Sequence, residues 1–224
     1  MKPHPLIKAT PWDASAFGIA TWELLEYSTA ALQQAAQTVG HHTIKVDPLA
    51  DKRLLHDFGF YYCDTLIEPY CNVSRLRKVR HPSATISKEV DAEQALAICH
   101  SAFVHGRFHR DFNISKDAAG RRYDNWLKQL LEAQNVYGRY WQGALAGFTG
   151  YNGNKVVLSA LATEYRGKGL SKFWLSAVYG ELLASGNEIV TSSFSATNLA
   201  VLNLHASLGF SFRNSQDIYH RLVL

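Results

Sequence analysis

The sequence predicts an α/β fold: a mixed sheet with helices on both faces. Helix-period stretches alternate with short β-branched and aromatic runs along all 224 residues. Three strand-like runs, 136–142, 144–152 and 155–163, are joined at Gln142-Gly143 and Asn152-Gly153-Asn154. Such turns make antiparallel hairpins, so the sheet is expected to be mostly antiparallel there. The third run then passes through a glycine-rich turn straight into a helical pattern.

The elements follow in order. "FGIATWELLEY" (17–27) reads as a strand, and "STAALQQAAQTVG" (28–40) as a helix capped by Ser28 and stopped by Gly40. "HHTIKVD" (41–47) alternates as a short strand. Residues 52–70 give a short helix, a turn at Gly59 and a strand. "NVSRLRKVRHPSA" (72–84), rich in Arg and Lys, reads as a solvated linker. A second set begins near Ile86 with helices over 91–105 and 118–135; Tyr123, Trp126, Leu127, Leu130 and Leu131 share one stripe of the latter. After the three hairpin strands, a helix from Leu170 to about Ser185 carries apolar residues at 170, 173, 174, 177, 178 and 182. A strand (188–194), a helix (198–209) and a final strand or hairpin (210–224) close the chain. The expected division is an N-terminal half, 1–74, a linker, 75–85, and a second domain, 86–224.

One pattern occurs twice. "LLHDFGFYY" (54–62) and "NLHASLGFSF" (203–212) each give a short helix, Gly-Phe and a strand. Two related halves would produce this, and so would chance.

Composition narrows the function classes. Hydrophobic residues make up 47% and charged residues 19%, with a net charge of +4, which is too mild to argue for nucleic acid but suits an anionic small molecule. Only 75–81 offers a basic run. Cys63, Cys71 and Cys99 lack CxxC or zinc spacing and are expected to be free thiols in a reducing compartment. No signal peptide or membrane span is apparent, so a cytoplasmic protein is expected. There is no GxSxG elbow for a serine hydrolase. His105 and His109 are four apart, but no third ligand is apparent, so no metal is expected.

The informative stretch is "EYRGKGLSKFW" (164–174). A helix N-terminus leaves four backbone N–H groups without partners and is partly positive. Glycine lets the backbone approach a bulky anion, and Arg166 and Lys168 add charge. A pyrophosphate cradle is one reading, and an ordinary solvated turn is the other. The stretch is neither a Walker A loop nor GxGxxG.

"LATEYRGKGLSKFW" resembles the acetyl-CoA-binding motif of the GCN5-related N-acetyltransferases (GNAT), in which an Arg/Gln-x-x-Gly-x-Gly/Ala turn follows a strand and opens a helix. Here the register is slightly shortened. "TNLAVLNLHASLGF" (197–210) resembles that family's second motif at Asn198 and Leu208-Gly209-Phe210, with His205 where Tyr is frequent. The resemblance covers roughly 86–224. It implies a GNAT fold with a mixed, mostly antiparallel central sheet, preceded by a degenerate GNAT-like N-terminal half. It also implies acetyl-CoA as cosubstrate, held by Leu161, Ala162, Arg166, Gly167, Lys168, Gly169, Leu170, Ser171 and Asn198. "SAFVHGRFHRDFNISKDAAGRRYDNWL" (101–127) and "PWDASAFGI" (11–19) are similar to segments of the dTDP-fucosamine acetyltransferase group. That similarity implies an acceptor amine on a nucleotide-linked 4-amino-4,6-dideoxy sugar, met by Arg107, Asp111 and Arg121, and makes Tyr219 the proton donor to the leaving thiolate.

No general base stands out; Asp111, Asp117, His105 and His109 fall near the expected acceptor loop. Another small amine, an amino acid or a protein N-terminus is the alternative acceptor, and a non-catalytic acyl-CoA-binding module the alternative class. A slightly larger pocket would take propionyl or another short acyl chain. The N-terminal half serves either homodimerisation or acceptor binding.

Overall fold

The structure is a computed structural model that describes residues 5–103 and 106–224. In chain order its elements are β1 (Ile7–Ala9), α1 (Pro11–Phe17), β2 (Thr21–Leu24), α2 (Thr29–Ala36), β3 (Gly40–Val46), α3 (Arg53–Asp57), β4 (Tyr61–Asn72) and β5 (Ala84–Ser87). There follow α4 (Ala92–Ala102), α5 (Arg107–Arg110), α6 (Lys116–Glu132), β6 (Val136–Trp141), β7 (Ala144–Asn152) and β8 (Lys155–Leu161). A 3-10 turn (Thr163–Tyr165), α7 (Ser171–Ala184), β9 (Ile189–Thr191), β10 (Phe194–Ser195), α8 (Leu199–Ser207) and β11 (Ser211–Val223) complete the chain. The expected α/β fold, a mixed sheet flanked by helices, is what forms.

The chain divides into two compact units that are not contiguous in sequence. Unit 1 holds Met1–Leu66, His105–Arg122 and Ser215–Leu224; unit 2 holds Ile67–Val104 and Tyr123–Asn214. The sequence division at 75–85 does not coincide with these units, because β4 and β11 each give residues to both.

Unit 1 has strand order β1-β2-β3-β11-β4. Strand β2 runs parallel to β3, and β3 pairs antiparallel with β11, Ile44 opposite Tyr219 and Thr43 opposite His220. Successive strand residues point to opposite faces. On one face Ile44, Val46 and Tyr219 pack with Ala31, Leu32 and Leu55 from α2 and α3. On the other, Phe108, Ile114 and Ala119 form a smaller cluster with Phe17. Helix α2 begins where the sequence indicates: the Ser28 hydroxyl accepts the Ala31 N–H at 3.2 Å. Helix α1 was not read from the sequence; Pro11 opens it and Gly18, left-handed at φ +73°, closes it.

Unit 2 has strand order β11-β4-β9-β8-β7-β6-β5. The two expected hairpins are present, β6–β7 and β7–β8, both antiparallel. Helices α7 and α8 cover one core of Val156, Leu175, Val178, Tyr179, Val190 and Phe210, while α4 and α6 cover another with Phe148, Leu158 and Leu127. The buried face of α7 is broader than the predicted stripe: Trp174, Leu175, Val178, Tyr179, Leu182 and Leu183 are buried and Ala177 is exposed. The stretch read as a solvated linker is packed. Leu76 is buried, the Arg77 N–H donates to the Leu208 carbonyl at 2.9 Å, and the Val79 N–H donates to Ser176 Oγ at 3.0 Å.

The repeated pattern has a structural counterpart. Strand, helix, parallel strand, short helix and long strand occur as β2-α2-β3-α3-β4 and again as β8-α7-β9-α8-β11. The glycines of the two Gly-Phe pairs, Gly59 and Gly209, leave α3 and α8 at φ +72° and +92°, a conformation that an L side chain resists.

Candidate functional site

The site begins at an irregularity in β8. Against β7, Gly150 faces Leu158 but Tyr151 faces Val156, so Val157 is an extra residue and the strand bulges there. On its other edge β8 runs parallel to β9 and pairs with it at one position, Lys155 with Thr191. Beyond that pair the two strands part. Ser192 Oγ donates to the Val156 carbonyl at 2.9 Å where they separate. The remainder of β8, through Leu161, therefore has a main-chain edge with no pairing to β9, and this feature could not be seen in the sequence.

That edge leads directly into the glycine turn. Ala162 N–H still donates to the Ala146 carbonyl at 2.9 Å, and the 3-10 turn carries the chain to Arg166. Gly167 and Gly169 have φ of +72° and +67°, and a Cβ at either would meet nothing within 4 Å. Backbone conformation, not lack of space, demands glycine at both. Arg166, Gly167, Lys168 and Gly169 are exposed. Arg166 Nε–H donates to the Leu161 carbonyl at 2.8 Å, tying the turn to the strand end. Helix α7 starts at Ser171 behind Leu170 with no side-chain cap, so its first N–H groups are offered to a ligand or solvent. Asn198 begins α8, and its Oδ1 accepts the Val201 N–H at 3.2 Å. Of the residues proposed to hold the cosubstrate, Leu161 through Ser171 thus form one continuous edge, turn and helix start. Asn198 has a capping duty of its own.

A cleft of ≈ 570 Å³, lined in part by Lys88, Tyr137, Tyr151, Glu181 and Ser185, lies at the far end of α7. A 14-residue helix is about 20 Å long, so this cleft is separate from the turn. Lys88 Nζ lies 4.4 Å from the centroid of each tyrosine ring.

The residues expected to meet an acceptor, and Tyr219, belong to unit 1. Arg121 is exposed and donates from Nε and an Nη to the Ala16 carbonyl, closing the end of α1. Arg107 lies over the Phe108 ring, 4.8 Å from its centroid. Asp117 is exposed in the first turn of α6. His105 lies outside the described residues. Asp111, expected in or beside the acceptor loop, lies in the loop after α5 and is buried, 2% exposed. Its Oδ2 accepts from His41 Nε2 and from His220 Nδ1, each at 2.7 Å. Its Oδ1 accepts the Tyr61 hydroxyl and the Asn113 N–H, each at 2.8 Å, and Asn113 Nδ2 donates back to the Tyr61 oxygen. Burial works to raise the Asp111 pKa, but the bonds from His220 and His41 outweigh it and hold the carboxyl below the usual range. Burial pushes His220 down to about 4. The sequence reading missed His41 and His220; their signal was histidine at buried-strand positions in "GHHTIKV" and "DIYHRLV".

Tyr219 is 6% exposed in the cluster under α2 and α3, with ring centroids of Tyr62 at 5.7 Å and His56 at 6.0 Å. Burial, then the nearby Asp217 charge, raises its pKa. His205, in the family's frequent tyrosine position, is buried in unit 2. Its Nδ1–H donates to the Val201 carbonyl, so its Nε2 accepts from the Tyr179 hydroxyl, both at 2.8 Å. The three cysteines are free, as expected, and buried. No helix among the described residues is long and apolar enough to cross a membrane.

No family model matches the sequence, and no curated protein matches it. Solved structures match the fold. A GCN5-related N-acetyltransferase from Sphaerobacter thermophilus superposes with a TM-score of 0.66 at 10% identity, over 96% of this chain and 76% of that one. A tandem GNAT protein from the clavulanic acid biosynthesis pathway gives 0.55 at 14% identity, over 91% and 77%. A GNAT-family acetyltransferase from Colwellia psychrerythraea gives 0.56 at 13%, over 92% and 80%. The chain has the fold of the GCN5-related N-acetyltransferases.

Proposed function

We propose that the chain is an acetyl-CoA-dependent N-acetyltransferase. The observation that carries this reading is the continuity of three features in unit 2: the parted edge of β8, the left-handed glycine turn and the uncapped start of α7. This arrangement suits a cosubstrate with an amide-bearing arm and a pyrophosphate. An unpaired strand edge offers alternating N–H and C=O groups to amides, and a helix start with glycine in the turn offers N–H groups to phosphate oxygens. Acetyl-CoA, when bound, supplies a thioester carbonyl and a thiol leaving group.

The chain's residues have distinct roles in this reading. Leu161 orients the thioester through its main-chain N–H at the strand end, while Ala162, whose N–H is taken by the Ala146 carbonyl and whose C=O accepts the Tyr165 N–H, lines the site beside it. Arg166 through Ser171 neutralise the pyrophosphate, with Lys168 as a mobile charge beside it. The acceptor amine attacks directly in a ternary complex, which needs alignment more than covalent participation. Tyr219 is the proton donor for the thiolate, its phenol carrying the proton at neutral pH. The acceptor is the amine of a nucleotide-activated 4-amino-4,6-dideoxy sugar. Support for this comes from the stretch around residues 101–127, of which Arg107 and Arg121 remain candidates for the nucleotide phosphates. The conditions of cytoplasm suit the three free thiols.

The test is thiol release from acetyl-CoA with dTDP- and UDP-linked 4-amino-4,6-dideoxy sugars, free amino acids and an amine-free sugar nucleotide. Release with an amino sugar nucleotide and none with the control is the expected result. Release with amino acids instead keeps acetyl transfer and replaces the acceptor. Tight acetyl-CoA binding without release from any acceptor favours a binding module.

A further inference from the structure

We propose that His41, Asp111 and His220 form a divalent transition-metal site in unit 1, with Zn²⁺ its natural occupant. The three ligand atoms, His41 Nε2, His220 Nδ1 and Asp111 Oδ2, lie within 4.8 Å of one another and their residues are all buried. They come from β3, from β11 and from the residue after α5, so the fold itself gathers them. The inference stands apart from the acetyl-transfer reading.

Three features carry it. The donor set of two imidazole nitrogens and one carboxylate oxygen is one that Zn²⁺ takes, leaving a fourth position for water. The second carboxylate oxygen is fixed by the Tyr61 hydroxyl and the Asn113 N–H, as outer-shell groups fix a ligating carboxylate. Aromatic rings wall the cluster: Phe108 stacks on His220 at 5.1 Å, and Phe17 meets His41 edge-on at 6.1 Å.

Metal entry needs a small rearrangement with balanced protons. Without metal, each histidine donates an N–H to Oδ2 across 2.7 Å. An ion about 2.0–2.1 Å from each ligand atom spreads such atoms to roughly 3.3 Å. Each imidazole stays neutral, its proton moving to the other ring nitrogen. At His220 that places a donor instead of a lone pair at Nε2, a buried nitrogen with no partner among the described residues in either state.

The experiment uses the full chain, stripped with a chelator and titrated with Zn²⁺ against a micromolar-affinity colour indicator, and with Co²⁺ followed by visible absorption. One ion per chain with submicromolar affinity is expected, with a higher melting temperature in Zn²⁺ than in chelator. His41→Ala and His220→Ala should each weaken binding by more than the roughly 10–100-fold that outer-shell changes cost. His100→Ala, which removes an exposed histidine, should leave binding unchanged. If the folded wild-type chain takes no Zn²⁺ from the indicator, the site is a hydrogen-bonded cluster only. Undiminished binding in a folded His41→Ala, His220→Ala double variant also overturns the proposal. Should the variants misfold, the wild-type titration still decides.

Discussion

Arg166 Nε–H meets the Leu161 carbonyl at 2.8 Å, so the residue that opens the glycine turn is tied to the residue that ends β8. Strand end and helix start are thereby held in one orientation. Arg166→Lys keeps the charge and loses the directed bond. A charged hydrogen bond contributes roughly 1.5–3 kcal/mol, so acetyl-CoA KM should rise by roughly 10- to 100-fold. Little change in kcat is expected, since positioning of the bound arm is shared by ground and transition states. Steady-state kinetics at saturating acceptor check this.

Gly169→Ala tests the turn. At φ +67° with open space around it, the only penalty is backbone strain, about 1–2 kcal/mol. Relaxation toward ordinary φ would swing the preceding N–H groups away from a bound phosphate. The folded protein should lose affinity for acetyl-CoA and for free CoA alike, measured by calorimetry. Unchanged affinity for both would detach the turn from cosubstrate binding.

Asn198 has a cap to keep and a proposed ligand to meet, and two variants separate these roles. Asn198→Ala removes the bond to Val201 N–H and should cost about 1 kcal/mol of stability. Asn198→Asp caps equally well, so the melting temperature should hold, while its negative charge should weaken acetyl-CoA binding. If Asn198→Asp binds acetyl-CoA normally, the residue is a cap alone.

Tyr219→Phe removes one oxygen and keeps the ring among its neighbours. As the thiolate's proton donor, its loss should lower kcat by about 10²–10⁴-fold, with acetyl-CoA affinity unchanged. Its place in the cluster with Ile44 and Leu55 gives the opposite outcome a clear meaning: an unaltered kcat makes Tyr219 a packing residue.

His205 makes stability depend on pH. Burial lowers its pKa to about 4, from the ordinary 6.5. Below pH 6.5 the unfolded chain takes up a proton that the folded chain refuses, so stability falls as pH drops from 6.5 towards 4. The contribution is up to about 3 kcal/mol. Melting temperatures across that window should show the decline, and His205→Gln should flatten part of it. An equally steep profile in the variant would assign the decline to other groups.

Much of the candidate site was legible because its signals are local. Gly167 and Gly169 sit next to the helix they precede, and Ser28 and Asp91 cap their helices three residues from the N–H groups they accept. Other local signals misled. The Arg- and Lys-rich run after Asn72 read as solvated, yet Leu76 within it is buried, since long basic side chains reach water from a packed backbone. Asp111 read as a loop acid because nothing near it in the chain shows what surrounds it.

The sequence alone determined the longer helices, the two hairpins, the glycine turn and the second Gly-Phe pair, because period, caps and turn residues act over a few neighbours. Only the tertiary structure decided where β8 leaves β9, since strand parting depends on register against a distant segment. It also decided the fate of Asp111. His41 lies 70 residues before it and His220 109 residues after, and strand alternation brings both onto one face only once β3 and β11 have paired.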